Sequence, residues 1–383
     1  MKENQNKVII IGTDHHNVLG TVRCFGVNRI KPYGIIVKND DSPLWVTKSR
    51  YWEKTWVIDS DEKISEVLID IFSEEEYKPV IICCSDGAMS HIDNNINQLS
   101  QYFILPSFNN EQGAITRLMN KETQSEYFVE FGLKPINTVI ITISDNPTKD
   151  SFEYPIILKP VASVEGDKKD ITICYNDNDM KNALLRLSDK DYKRILVQPF
   201  ISEKTEYTIT GAVTDNHLSY SVCEKLRQWP LQIGSGSFVR LSIENRITEF
   251  AENVLFELKK SGYRGPVDID VFQSNSDLYI NEINWRVGGW NFVNLYNKTF
   301  STLLYYCDVT QNSYKGIVVN KKRGYCMIES MDLRNAFSTG FLSWVKELLI
   351  TRSFALFLCR DLKPTLARYK YYIKKFANKE NSD

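Results

Sequence analysis

The sequence predicts an α/β unit followed by an α+β region and a helical C-terminal extension. Three observations predict it. Short apolar runs rich in Ile and Val alternate with helix-length segments through about residue 105. Strands and helices then alternate without a sustained parallel pattern to about residue 309, where the last two strands make an acid-rich hairpin. From residue 310 the pattern is helical and the end is basic.

Residues 7–11 form an apolar run closed by Gly12, residues 35–37 a second, and residues 80–84 a third that ends in Ser85-Asp86-Gly87. These read as buried parallel strands, with helix-length segments at 17–28 and 62–72 between them. Loops at the carboxyl ends of such strands hold ligands, so residues 12–17 and 85–87 are expected to line a substrate pocket. His15 and His16 fall in the first loop. No third ligand accompanies them, so a substrate contact is expected there and a zinc site is not.

Asn120 is placed to cap a helix with Glu122 in its first turn, Phe128 and Val129 on its apolar side, and Gly132 and Pro135 at its end. A strand at 155–158 delivers Lys159-Pro160. A polar loop at 163–170, a strand at 171–174, a helix from about Asp179 and a strand at 195–200 follow. Strands at 207–213 and 218–224 precede a Gly234-Ser235-Gly236 loop and a helix at 249–262.

Residues 265–289 form the hairpin, two alternating runs joined by a turn segment at 273–277. Val267, Ile269 and Val271 face one way, Asp268 and Asp270 the other. Glu282, Asn284 and Arg286 share a face opposite Ile283 and Trp285. Pairing Phe272 with Leu278 would set both polar faces on one side of the sheet. Three carboxylates then crowd one patch, and Arg286 alone does not neutralise them. Magnesium takes oxygen ligands and is shared between one or two carboxylates and substrate phosphates; Asp270, Glu282 and Asn284 supply that set. The plainer reading is a solvated strand face with ordinary surface charge.

In its order of an acid, then Glu-x-Asn about a dozen residues later, then Arg, the chain resembles the ATP-grasp superfamily. Lys121 resembles the first nucleotide lysine and Lys159, in Ile-Leu-Lys-Pro, the second. The run Gln198-Pro199-Phe200-Ile201 resembles the hinge that holds adenine, and Glu206 the acid that binds the ribose hydroxyls, with Glu203 second. Lys225 through Pro230 with the following glycines resembles a stretch of the carboxylate-amine ligases, among them D-aspartate ligase relatives. There Arg227 would hold the acid or its phosphate. The phosphate-covering loop departs from the pattern, since residues 163–169 keep a single glycine; Lys168 or Lys169 would serve in it.

The resemblance implies a Rossmann-like pre-ATP-grasp domain at 1–105, a first ATP-grasp lobe at 106–195, a second lobe with the magnesium site at 196–309, and a helical extension at 310–383. It implies ATP and a pair of magnesium ions, with manganese as the alternative ion, and a small carboxylic acid and an amine as substrates. Asp270, Glu282 and Asn284 would hold the metal, and Arg286 the transferring phosphate.

Composition bounds the same reading. The chain has 383 residues, 43% of them hydrophobic, enough for two or three units with large cores. Forty-seven Lys and Arg nearly balance forty-eight Asp and Glu, so no global field draws the chain onto nucleic acid or anionic lipid. Eight cysteines without CxxC spacing read as reduced thiols of a cytoplasmic protein. Residues 8–11 are too short for a signal-peptide core. Residues 340–359 are broken by Lys346, Glu347 and Arg352, so they are expected to pack as an amphipathic helix pair and not to span a membrane. Residues 368–379 are expected to be a solvated basic cap rather than a membrane-surface patch.

Overall fold

The computed structural model of the protein describes residues 6–38, 43–143, 152–161, 170–190, 192–230, 234–275 and 277–380, the side chains of 376–380 excepted. The N-terminal unit is a parallel sheet in the order β3-β2-β1-β4, built of β1 (Val8–Thr13), β2 (Tyr33–Val37), β3 (Lys54–Ile58) and β4 (Val80–Cys83). Its middle strands are continuous apolar runs because both faces are covered, by helices such as His16–Gly26 and Ile64–Phe72. The sequence pattern missed β3. As an edge strand it opens on Lys54-Thr55 and leaves Lys54 and Val57 exposed, so its three apolar residues Trp56, Val57 and Ile58 do not form a buried run.

A two-residue strand, β5 (Ser107–Phe108), joins a longer strand of the main sheet. The helix Lys121–Glu130 starts where Asn120 predicts. Asn120 Oδ1 accepts from the backbone N–H groups of Glu122 at 2.9 Å and Thr123 at 3.4 Å, satisfying two orphan donors. A separate four-stranded sheet follows in the order β6-β9-β7-β8. Its strands are β6 (Val139–Thr142), β7 (Ile156–Pro160), β8 (Thr172–Cys174) and β9 (Arg194–Pro199), over the helix Asp177–Ser188. This lobe has its own small core, centred on Leu158, Leu187 and Ile195.

The main sheet contains β10 (Thr205–Val213), β11 (Leu218–Trp229), β12 (Ser235–Ser242), β13 (Tyr263–Ser274), β14 (Asp277–Asn284), β15 (Gly324–Met327) and β16 (Thr351–Phe354), in the order β14-β13-β10-β11-β12-β15-β16. The helix Asn245–Lys260 covers one face with Ile247, Ala251, Val254 and Leu258. Outer strand β14 is not bare. Ile280 exchanges backbone hydrogen bonds with Lys134 and Ile136, at 2.9 and 3.3 Å. The buried Gln124 side chain then accepts from Ile283 N–H and donates to Ile283 C=O, both at 2.9 Å.

Three sequence expectations are corrected. Gly234-Ser235-Gly236 is not a loop throughout, because Ser235 and Gly236 already pair with β11 as the start of β12. The extension is mainly helical but contributes β15 and β16 to the main sheet. Residues 340–359 make one helix, Phe341–Ile350, and then a strand instead of a helix pair, since Thr351 and Ser353 find parallel partners on β15. Among the described residues no helix is long and apolar enough to cross a membrane.

Candidate active site

The two outer strands β13 and β14 set the acids. The expected Phe272–Leu278 pair is off by one: Phe272 faces Tyr279 and Gln273 faces Leu278. A bulge at Asn281 absorbs the difference, so that Asp270 stands directly opposite Glu282 and Asp268 opposite Asn284. All four side chains, with Asn281, open into one cavity of about 420 Å³ between the β6–β9 lobe and the main sheet. The odd residues Val267, Ile269, Val271 and Ile283 are buried in the core behind it.

The same cavity brings together residues far apart in the chain. Lys121 enters from the first turn of its helix and Lys159 from the end of β7. Gln198 and Pro199 line it from the end of β9, Phe200 and Ile201 from just beyond that strand, Glu206 from β10 and Arg286 from beyond β14. Phe200, Phe272, Ile136 and Ile157 make an apolar slot beside the polar floor. Glu203 is exposed and does not line the cavity. Lys168 and Lys169 lie outside the described residues.

Charge inside is closely matched. Lys159 Nζ donates to Gln198 Oε1 at 2.8 Å and to Asn281 Oδ1 at 3.3 Å. Burial, then the nearby Lys121 ammonium, brings its pKa down to about 8. Asp270 Oδ1 accepts from Thr208 Oγ1 at 2.7 Å and from Lys225 Nζ at 2.8 Å. Lys225 also lies 3.7 Å from Glu206. Burial alone would depress this ammonium, but Asp270 and Glu206 outweigh it and raise its pKa. Lys204 Nζ sits 3.1 Å from Glu206 and 4.1 Å from the centre of the Phe272 ring. Asp268 is pushed up first by burial and then by the Asp270 charge, and among the described residues its buried Oδ1 has no hydrogen-bond partner.

The N-terminal sheet closes the far end. Arg286 is held bidentately by Asp86, Nε to Oδ1 at 3.0 Å and Nη2 to Oδ2 at 3.1 Å, and also donates to Asn284 Oδ1 at 3.3 Å. The chain after β14 docks on β4, with Val287 N–H donating to Cys83 C=O at 3.0 Å. His15, His16 and Asp86, from the loops expected to touch a substrate, all line the cavity. Gly289 permits this approach, because a Cβ there would lie 3.0 Å from His16 Nε2.

Arg227 is not brought to this site. Strict alternation would place it on the same face as Lys225, but β11 has register shifts on both sides of Arg227, and Gln228 takes the cavity side instead. Its guanidinium is bound by Asp332, Nε at 3.1 Å and Nη2 at 2.7 Å, and by Glu347 at 2.6 Å. Sequence reasoning assigned no role to Lys225, Lys204 or Asn281, and placed Asp86 only within a pocket-lining loop. A signal existed for Lys225: a hairpin turning at 214–217 pairs it with Glu206.

The oxygen donors fit magnesium better than a metal held by protein alone. Asp270 and Glu282 face each other, the amide of Asn284 stands beside them, and the buried Asp268 Oδ1, without a hydrogen-bond partner among the described residues, adds a further oxygen to the same cavity. Among the described residues no group of three or more His, Cys, Asp or Glu is arranged to hold a metal by itself. A site of this kind needs phosphate oxygens to complete it.

No family model matches the chain. It is 25% identical over 206 residues to the D-alanine–D-alanine ligase of Campylobacter concisus, a match covering 51% of this chain and 58% of that protein. It is 24% identical over 313 residues to the D-aspartate ligase of Enterococcus faecium, covering 76% of this chain and 73% of that one. The chain thus spans little more than half the length of the first relative and nearly three quarters of the second. Its structure superposes with a TM-score of 0.66 on an N5-carboxyaminoimidazole ribonucleotide synthetase in complex with ADP, at 13% identity, over 87% of this chain and 85% of that chain.

Proposed function

Since the chain has the ATP-grasp fold and resembles the carboxylate-amine ligases built on it, we propose that it is an ATP- and magnesium-dependent ligase. It activates a small carboxylic acid as an acyl phosphate and couples it to an amine, releasing ADP and phosphate. The observation that carries this reading is the Asp270–Glu282 pair facing Lys121 and Lys159 across one cavity, with Arg286 at its far end.

Adenine lies in the apolar slot against Phe200 and Phe272, with backbone of residues 198–201 at its edge and Glu206 toward the ribose. Lys121 and Lys159 hold phosphate oxygens. Asp270, Glu282 and Asn284 would hold magnesium, which would offset the charge that develops in phosphoryl transfer. The substrate carboxylate attacks the γ-phosphorus, the bond to the β,γ-bridging oxygen breaks, and ADP leaves. The amine then adds to the acyl carbon, and the C–O bond to phosphate breaks as the amine loses its proton. Arg286, fixed by Asp86, stabilises first the transferring phosphoryl group and then the tetrahedral oxyanion. No side-chain nucleophile is required.

The test is a panel of carboxylic acids incubated with ATP, magnesium and hydroxylamine. The expected result is acid-dependent hydroxamate and phosphate. A stable phosphorylated product formed without hydroxamate would assign a kinase instead. Asp270→Asn or Glu282→Gln is expected to lower turnover by about a hundredfold or more; unchanged turnover would remove the metal from this site.

A further inference from the structure

Half of the large apolar side chains exposed among the described residues, ten of twenty, fall between Leu333 and Ile373, about a tenth of the chain. Scattered exposed leucines are ordinary, whereas outward apolar side chains repeated along one helix face mark a surface that meets something apolar. In the helix Phe341–Ile350, Trp344 is buried against Phe238 and Met327 while Phe341, Leu342 and Leu349 turn outward, with Leu342 and Leu349 each 77% exposed. In the helix Leu362–Glu380, Leu366 and Ile373 are 66% and 70% exposed, and their spacing from Leu362 sets all three on one face.

Charge says what the surface meets. Residues 334–375 hold nine Lys and Arg against two acids, a net of +7, while the whole chain is at −1. Both acids are engaged from within: Glu347 by Arg227, and buried Asp361 by Arg23 Nε at 2.9 Å, Ser49 Oγ at 2.8 Å and Arg50 N–H at 2.9 Å. Lys363, Lys370 and Lys374 are exposed in a row beside the Leu362, Leu366 and Ile373 face. Apolar faces bordered by lysine suit the boundary between headgroups and acyl chains, with the lysine stems reaching outward to phosphate. A second copy would bring the same positive surface and be repelled.

We propose that the Leu362–Glu380 helix rests on an anionic membrane, with Leu362, Leu366 and Ile373 in the interface and Lys363, Lys370 and Lys374 on lipid headgroups, in place of the solvated basic cap expected from the sequence. The binding is peripheral. It is independent of the ligase reading.

The experiment is vesicle flotation of the full chain with phosphatidylcholine alone and with about 30% phosphatidylglycerol added. The chain is expected to float with the anionic vesicles only, and to be released as salt approaches about 1 M, where the Debye length shrinks to about 3 Å. Leu366→Ser with Ile373→Ser, and separately Lys370→Glu with Lys374→Glu, are each expected to lower the bound fraction about tenfold or more with thermal unfolding unchanged. Absence of flotation, or equal flotation of the variants, overturns the proposal. So does a lipid-free dimer in analytical ultracentrifugation that dissociates in the Leu366→Ser, Ile373→Ser variant, which would assign the helix face to a second copy.

Discussion

Lys159 and Gly288 show how single positions tune the cavity. Burial brings the free Lys159 amine to about 8, so it is charged below that pH and neutral above it. Bound triphosphate favours the charged form and raises this value. Nucleotide affinity is therefore expected to hold steady below about pH 7 and to fall as pH rises through about 8, as calorimetric titration would measure. Lys159→Arg keeps its charge throughout and should flatten that dependence. At Gly288 a Cβ would lie 2.0 Å from Asp268 Oδ1. Gly288→Ala must displace that carboxylate, and chemical denaturation is expected to show a loss of about 1–3 kcal/mol.

Strands and their irregularities decide which residues reach the cavity. Arg227 sits where β11 departs from alternation and binds Asp332, which is fully buried, and Glu347. Arg227→Met is expected to destabilise the protein by roughly 3 kcal/mol in denaturant unfolding, because it strands a buried carboxylate, and to leave nucleotide affinity within about twofold. If affinity collapses while stability holds, Arg227 serves the site after all. The same strands explain what was legible in the sequence. The apolar runs of β1, β2 and β4, the Asn120 cap and the two faces of the acid hairpin are local patterns that tertiary packing did not override. The Asn281 bulge, the start of β12 and the strands β15 and β16 depend on partners distant in sequence, so no window of neighbouring residues reveals them. Lys121, Lys159 and Glu206 are ordinary residues one at a time; their order along the chain pointed to a common cavity, whereas Lys225 needed the strand register.

For the whole molecule, the β6–β9 lobe has its own small core, distinct from the large one beneath the main sheet. Its amides are expected to exchange before those of β10 and β13 when hydrogen exchange is followed without ligand. A nucleotide touching both sides of the cavity should slow that exchange. ATP with magnesium at about a hundredfold over the dissociation constant is expected to add about 2.7 kcal/mol to stability, and a chelator to remove most of it, as thermal melts would register. The way β14 ends the main sheet also bears on how these molecules behave when concentrated. An outer strand offers unpaired N–H and C=O groups on which a strand from another molecule can grow. Here the backbone at Lys134 and Ile136 takes up those of Ile280, and one glutamine amide takes up those of Ile283 in the manner of a single strand residue. Gln124 thereby works against fibrous self-assembly, and in Gln124→Ala light scattering should grow with time at concentrations where the parent protein stays clear.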